Sequence, residues 1–212
     1  MIIEILLMIV LCMIIFVIFV SKSWQFLLLI RKKNKFVYDE YLYKIEDFPL
    51  LIDFPKTEEQ LPPQQSITTS EMKSTILSAI NTINSQTGFI FFNILNNNTS
   101  TNNILKIRFN SKKHDNHLDF DGDMTAIGKP DILAHSLLPP NKAICLDIEN
   151  QWNCKILESV LLHELGHALG LLDNTIPQSI MSSNALLYDE YQYFDLQNLK
   201  ILYPWIKKSC SK

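Results

Sequence analysis

The sequence predicts a mixed α/β domain that follows an apolar N-terminal helix. Three observations support this prediction: an unbroken apolar run near the N-terminus, strand-like segments interleaved with helical ones over residues 48–206, and the confinement of all five histidines to residues 114–167. A chain of 212 residues is long enough for one domain of ordinary size with an appendage.

The apolar run predicts an uncleaved membrane anchor over residues 1–30. Residues 5–20 are all apolar, and the run reaches 19 residues if it is counted from Ile2 with Glu4 included. At about 1.5 Å per residue, this length approaches the roughly 30 Å of a bilayer's hydrocarbon core. The run lacks the basic start and the small residues near its end that mark a cleaved signal peptide.

The flank of the anchor leaves the membrane orientation open. Residues 31–47 form a basic flank and tether, and the positive-inside rule places such a flank, and the bulk that follows it, in the cytoplasm. Two overlapping glycosylation sequons begin at Asn97 and Asn98. They can be glycosylated only in a lumenal or outside compartment, which is the opposite orientation.

Charge separates the anchor region from the body of the chain. Residues 1–35 carry five basic residues and one acidic residue, a net charge of +4, so the total of −3 leaves −7 on residues 36–212. An acidic body does not attract nucleic acid, which we exclude as a partner, but it suits cation binding. Four cysteines are too few for a disulfide-rich scaffold. The sequence carries no indication of an oligomeric state.

Periodicity and turn residues predict the elements of a domain over residues 48–206, followed by a tail over 207–212. A helix opens at Thr69, buries one face that includes Met72 and Ile80, and ends at Gly88. The predicted strands are Pro49–Phe54, Phe89–Leu95, Ile104–Phe109, Asp131–Leu138 and Ala143–Ile148, and the two further helices are Cys154–Leu169 and Phe194–Tyr203. Residues 110–129 are polar and predict an irregular loop.

The stretch HELGHALGLLD, residues 163–173, begins within the second predicted helix and continues past its end. His163 and His167 are four residues apart, so their imidazoles project from one helix face and can bind one metal ion. Glu164 lies beside the first ligand and can reach a water on the metal. Gly170 allows the chain to leave the helix sharply, so that Asp173 returns as a third ligand. Three protein ligands leave a fourth position for water, as in catalytic zinc sites.

This stretch resembles the extended zinc motif of the metzincin proteases, in particular the matrixins. The resemblance implies a metzincin-type domain with a twisted, mostly parallel five-stranded sheet and three helices, with the active-site helix over residues 154–170. Met181 lies eight residues after Asp173, as does the methionine of the matrixin turn under the zinc, and residues 194–203 resemble the closing matrixin helix. Matrixins have a histidine as third ligand, and the aspartate here resembles the pattern of snapalysin.

The resemblance also implies a second, structural zinc ion and a calcium ion in the loop region. The implied zinc ligands are His114, His135 and Cys145, with either Asp115 or His117 as the fourth. The implied calcium ligands are Asp121, the carbonyl of Gly122, and Asp147. Cys145 replaces a histidine of the family and is itself a competent zinc ligand. The alternative is a polar loop that binds no metal.

The resemblance implies a zinc endopeptidase with Glu164 as general base, and together with the apolar N-terminal run it predicts that this enzyme is membrane-anchored. Its protein or peptide substrate would lie extended along the edge strand near residues 132–136, beside a specificity pocket whose wall comes from residues 182–193. Latency through an upstream cysteine, as in matrixin zymogens, is excluded because no cysteine lies between Cys12 and Cys145.

Two alternatives stay open at this point. The first is a catalytically silent adhesion or viral envelope protein in which zinc only stabilises the fold. The N-terminal segment resembles the sorting segment of envelope proteins of large insect DNA viruses. The second alternative is a zinc hydrolase of another class, acting on peptidoglycan or small peptides.

Overall fold

A computed structural model describes residues 42–56, 67–96, 102–110, 133–182 and 188–206. The predicted membrane anchor lies outside these ranges. Among the helices within them, none combines the length and the apolar character needed to cross a membrane.

The central element is a five-stranded sheet, as expected. Its strands are β1 (Leu50–Asp53), β2 (Phe92–Ile94), β3 (Ile104–Asn110), β4 (Ala134–Ser136) and β5 (Ala143–Asp147). Their order across the sheet is β2-β1-β3-β5-β4. All pairings are parallel except that of β4 with β5, which is antiparallel and sets His135 opposite Cys145. The prediction of a mostly parallel sheet is therefore confirmed, with β4 as one of its two edges.

Three helices accompany the sheet in the described ranges: α1 (Thr69–Thr87), α2 (Cys154–Ala168) and α3 (Tyr193–Leu202). α1 begins with a capping box, in which the Thr68 hydroxyl accepts from the Glu71 N–H and the Glu71 carboxylate accepts from the Thr68 N–H. It ends at Gly88, whose φ of 64° is left-handed and favours glycine. A single 3₁₀ turn at Ile45–Asp47 precedes β1.

The core lies between the sheet and the first two helices. α1 and α2 contact each other, α1 packs against β2, and α2 packs against β4 and β5. The apolar face predicted for α1 is buried, and so are the aliphatic side chains of the inner strands, among them Leu50, Ile52, Leu105 and Ile107. Each such side chain contributes about 1.5–3 kcal/mol by leaving water, so this packing holds α2 firmly against the sheet.

An aromatic cluster closes one part of this core. The ring of Phe48 makes edge-to-face contacts, with centroids 5.1–5.8 Å apart, with Tyr43, Phe89, Phe91 and Tyr203. Tyr43 is buried although it precedes the predicted domain start at residue 48. The hydroxyl of Tyr43 donates to the backbone carbonyl of Asn141, 2.8 Å away, so chain from within the predicted tether packs onto the domain.

Candidate metal centre

Helix α2 presents two histidines on its half-buried side. The helix starts at the Asn153 cap, whose side-chain oxygen accepts from the Ile156 N–H at 3.0 Å. Its apolar face, which includes Leu161 and Leu165, is buried in the core. His163 and His167 lie one turn apart with ring centroids separated by 4.7 Å. Helical spacing and burial of the opposite face therefore suffice to place both imidazoles together.

The chain leaves α2 in a way that returns Asp173 to these imidazoles. The helix ends at Ala168 rather than at residue 170, because Gly170 adopts a φ of 92°. Asp173 Oδ1 lies 3.3 Å from His163 Nε2 and 3.4 Å from His167 Nε2. One potential ligand atom of each of these three residues lies within 4.8 Å of the other two. The structure thus brings together the three ligands that the sequence predicts for the catalytic zinc.

Backbone acceptors orient both imidazoles for metal binding. His163 Nδ1 lies 2.7 Å from the carbonyl oxygen of Ile180, and His167 Nδ1 lies 2.8 Å from that of Leu171. Since a carbonyl can only accept, each ring donates the hydrogen on Nδ1 to it, which leaves Nε2 facing Asp173. This arrangement is the usual second layer of a histidine metal site, so the residues present fit a zinc ion.

The charges at the centre favour an ionised third ligand. Hydrogen bonds from His163 and His167 hold the pKa of the Asp173 carboxyl well below its usual range. Burial lowers the pKa of His167, but the hydrogen bond with Asp173 and the charge of Glu164 outweigh burial and raise it. An ionised carboxylate beside two imidazoles is a donor set that a divalent cation can use.

Glu164 lies beside the ligands and is suited to proton transfer. Its side chain is buried, and its Oε2 has no hydrogen-bond partner among the described residues. Burial raises the pKa of Glu164, while the nearby charges of His167 and His163 oppose that rise. A buried carboxylate oxygen without a partner costs free energy unless another group uses it, and a water at the metal position is such a group.

Met181 packs against α2 at Gly166, the residue before the ligand His167. The side chain is buried, and a Cβ atom added to Gly166 would lie only 2.4 Å from its Sδ. The turn and the helix therefore approach this closely because residue 166 has no side chain. In the structure, Met181 packs against the helix that carries both histidines.

The residues that hold this turn were not identified from the sequence. Ser179 is fully buried, and its hydroxyl donates to the carboxylate of Asp195 at the start of α3. The same hydroxyl accepts from the side-chain amide of Asn174 at 2.7 Å. In the sequence, Asp195 is marked only by its place in the segment that resembles the closing matrixin helix, Ser179 only by its place in the segment that leads to Met181, and Asn174 by no pattern.

The predicted structural zinc is only partly within the described residues. His135 and Cys145 face each other across β4 and β5. Cys145 is buried, its Sγ accepts from Asn110 Nδ2 at 3.7 Å, and burial together with the charge of Glu164 raises the pKa of its thiol to about 11. The remaining predicted ligands, His114 with Asp115 or His117, lie outside the described residues.

The predicted calcium site also lies only partly within the described residues. Asp147 ends β5, and its buried carboxylate accepts from the Glu149 N–H at 2.9 Å and from the Asn150 amide at 2.8 Å. Asp121 and Gly122 lie outside the described residues. Within the part of the chain that the structure describes, the candidate cluster of metal ligands is the one formed by the two α2 histidines and Asp173.

Comparison with known proteins agrees with this centre. The family model described as Matrixin matches residues 59–202, well over half of the chain, and this range includes all of α1, α2 and α3. The hatching enzyme of Paracentrotus lividus is 32% identical over 93 residues, which make up 42% of this chain and 14% of that protein. The matched segment is thus a small part of the relative's length. Since the family match includes strands β2 to β5, the three helices and the metal centre, the chain belongs to the matrixin family.

Proposed function

We propose that the chain is a zinc-dependent metalloendopeptidase that hydrolyses peptide bonds of extended protein substrates. The observation that carries this proposal is the convergence of His163, His167 and Asp173 beside a buried glutamate whose Oε2 lacks a partner among the described residues. The matrixin match over residues 59–202 supports it.

The three ligands would hold zinc and leave a fourth position open. Zinc bound there would acidify a water molecule and polarise the scissile carbonyl. The carbonyls of Ile180 and Leu171 hold the two imidazoles in the tautomer that this binding requires.

Glu164 would move the protons of the reaction. Its Oε2 takes a proton from the attacking water and then passes it to the leaving amine. Burial raises the pKa of this carboxyl and so makes it a stronger base than an exposed glutamate, while the nearby charges of His167 and His163 oppose that rise.

The substrate would bind as an added strand. β4 lies at the sheet edge and pairs with β5, so its outer side can form main-chain hydrogen bonds with an extended peptide. The proposed pocket wall spans residues 182–193, of which Tyr188 is anchored by its hydroxyl to the carbonyl of Pro177 at 2.6 Å.

Three further assignments belong to the same proposal. A structural zinc would use the facing His135 and Cys145, with His114 and either Asp115 or His117. Calcium would use Asp121, the carbonyl of Gly122, and Asp147. The apolar run over residues 5–20 would anchor the enzyme in a membrane.

The experiment that tests the mechanism is substitution of Glu164 by glutamine. Glu164→Gln keeps the shape of the side chain but cannot accept the water proton, so we expect proteolysis of casein to fall by at least a hundredfold while zinc stays bound. Glu158→Gln, the same change on the same helix outside the centre, should digest casein like the wild-type chain. Wild-type rates in Glu164→Gln would contradict the mechanism.

The wild-type assay also separates the alternatives. A protein that binds zinc but cleaves neither casein nor short peptides would be the silent scaffold. A chain that cleaves small substrates but no protein would be a hydrolase of another class.

A further inference from the structure

Asp173 is the most exposed of the three candidate ligands, so its position depends on its backbone. Its side chain is 60% exposed, against 20% for His163 and 15% for His167. An aspartate also reaches less far from the backbone than a histidine. A third ligand of this type therefore needs neighbouring chain that is held close to the two imidazoles.

The chain before Asp173 is fixed to α2, and the chain after it is fixed by Asn174. The Leu171 N–H donates to the carbonyl of Gly166 at 2.9 Å. On the other side, the Asn174 N–H donates to the carbonyl of Met181 at 2.9 Å.

Both the oxygen and the nitrogen of the Asn174 side-chain amide form hydrogen bonds. Its Oδ1 accepts from the Ile176 N–H at 2.8 Å, and its Nδ2 donates to Ser179 Oγ at 2.7 Å. The first bond closes a local turn, and the second ties this turn to a buried hydroxyl.

The hydroxyl of Ser179 has no remaining hydrogen-bonding capacity. It accepts from Asn174 Nδ2 and from the Met181 N–H, the latter at 3.0 Å, and it donates to Asp195 Oδ1. A serine hydroxyl has one hydrogen to donate and two lone pairs, so all three are used. Since Ser179 is fully buried, loss of its hydroxyl would leave buried partners unpaired.

The carboxylate of Asp195 is also connected, through the backbone of Ile180, to the ligand His163. Its Oδ2 accepts from the Ile180 N–H at 3.1 Å and from the Gln192 N–H at 3.0 Å. The carbonyl of that same Ile180 accepts from His163 Nδ1. The start of α3 is thus linked to His163 through the backbone of Ile180, and to Asn174, the neighbour of Asp173, through Ser179.

We propose that Asn174 and Ser179 are positioning residues that, with Asp195, hold the third ligand Asp173 at the metal. These hydrogen bonds fix the backbone that follows Asp173. They thereby set the distance of its carboxylate from His163 and His167. This inference rests on the proposed zinc function, because it assigns the hydrogen bonds among Asn174, Ser179 and Asp195 a role in metal binding.

The test compares metal affinity with stability in Ser179→Ala and Asn174→Ala. We expect the dissociation constant for Zn²⁺ to rise by about ten- to a hundredfold in each, as for other outer partners of metal ligands. The visible absorption spectrum of the Co²⁺-loaded chain should change too, because the third ligand has moved. Once zinc saturates the protein, KM should change less than kcat. The double variant should lose little more than the weaker-binding single variant, since both act through one bond.

The matched control removes a buried hydroxyl elsewhere. Thr87 is buried on α1, and its hydroxyl donates to the carbonyl of Ile83 at 2.7 Å. Thr87→Val should lower the thermal stability of the chain but leave the Zn²⁺ affinity and the Co²⁺ spectrum unchanged.

The outcomes separate this inference from the proposed function. If folded Ser179→Ala binds zinc and gives a Co²⁺ spectrum like the wild-type chain, Asn174 and Ser179 do not position Asp173. The proposed metal centre would be unaffected by that result. If Ser179→Ala does not fold, the half-buried Asn174→Ala decides by the same criteria. If the wild-type chain binds no zinc, the proposed function itself fails.

Discussion

Asp173 makes the candidate centre less positively charged than a third histidine would. With two neutral imidazoles and one carboxylate, a zinc ion would retain a net charge of about +1 rather than +2. A less positive centre withdraws less charge from a water in the fourth position, so that water loses its proton at higher pH.

Asp173→His should therefore shift the acid limb of the peptidase activity. We expect the apparent pKa of that limb in kcat/KM to fall by about one unit, because the centre gains positive charge and the reactive ionised form persists at lower pH. The measurement is a pH profile of peptide hydrolysis at saturating zinc, with the bound zinc quantified in both proteins. An acid limb that stays in place or moves to higher pH would contradict this charge argument.

Single residues were predictable where their role depends on local spacing. His163 and His167 are four residues apart on one helix, and Glu164 directly follows the first of them, so the helical period is enough to bring the three together. Ser179 depends on Asn174, five positions before it, and on Asp195, sixteen positions after it. Neither separation belongs to a helical or strand period, so only the structure identifies these bonds.

At the scale of elements, α1 and α2 are each followed by a glycine with positive φ, but the surroundings of the two glycines differ. A Cβ atom added at Gly88 would meet no atom within 4 Å, whereas one added at Gly170 would lie 2.9 Å from Leu42 Cδ2. The first position therefore measures the backbone cost alone, and the second adds a steric contact.

Gly170→Ala should destabilise the domain more than Gly88→Ala. We expect the backbone cost to be about 1–2 kcal/mol at either site, with an additional contribution at Gly170 from the contact with Leu42. Urea unfolding of both variants measures the difference. In a Leu42→Ala background the extra cost at Gly170 should shrink, and equal costs at both glycines in the original background would contradict the steric argument.

Element types were predictable, but strand limits were less so. The apolar run Phe89–Leu95 predicts one strand, whereas β2 covers Phe92–Ile94. Phe89 and Phe91 instead pack their rings on Phe48. Apolar residues that enter an aromatic cluster and those that enter a strand look alike in the sequence, because both are buried.

At the scale of the whole molecule, contacts between distant segments hold the centre's surroundings together. The side chain of Gln86 on α1 accepts from the Tyr191 N–H at 2.9 Å and donates to the Tyr191 carbonyl at 3.1 Å. The buried hydroxyl of Tyr191 in turn donates to the carbonyl of Leu162, next to the first metal ligand. These partners are so far apart in the sequence that tertiary packing alone brings them together.

The apolar N-terminal run leads to a prediction for the whole chain. We expect the full chain to sediment with membranes and to resist extraction with high salt, because residues 5–20 contain no charged side chain. Substituting Leu11→Arg and Ile14→Arg together should release it, since each arginine near a helix centre costs about 2.5–3.5 kcal/mol on insertion. Recovery of the unchanged chain in the soluble fraction would contradict the anchor.

The most direct test of the central claim is the zinc content of the purified full chain, compared with that of the double variant His163→Ala, His167→Ala. The account predicts that the wild-type chain holds one zinc ion more per molecule than the variant, whether or not a structural zinc is present in both. Equal zinc content in the two proteins, or no zinc in the wild-type chain, would contradict a zinc centre at His163, His167 and Asp173.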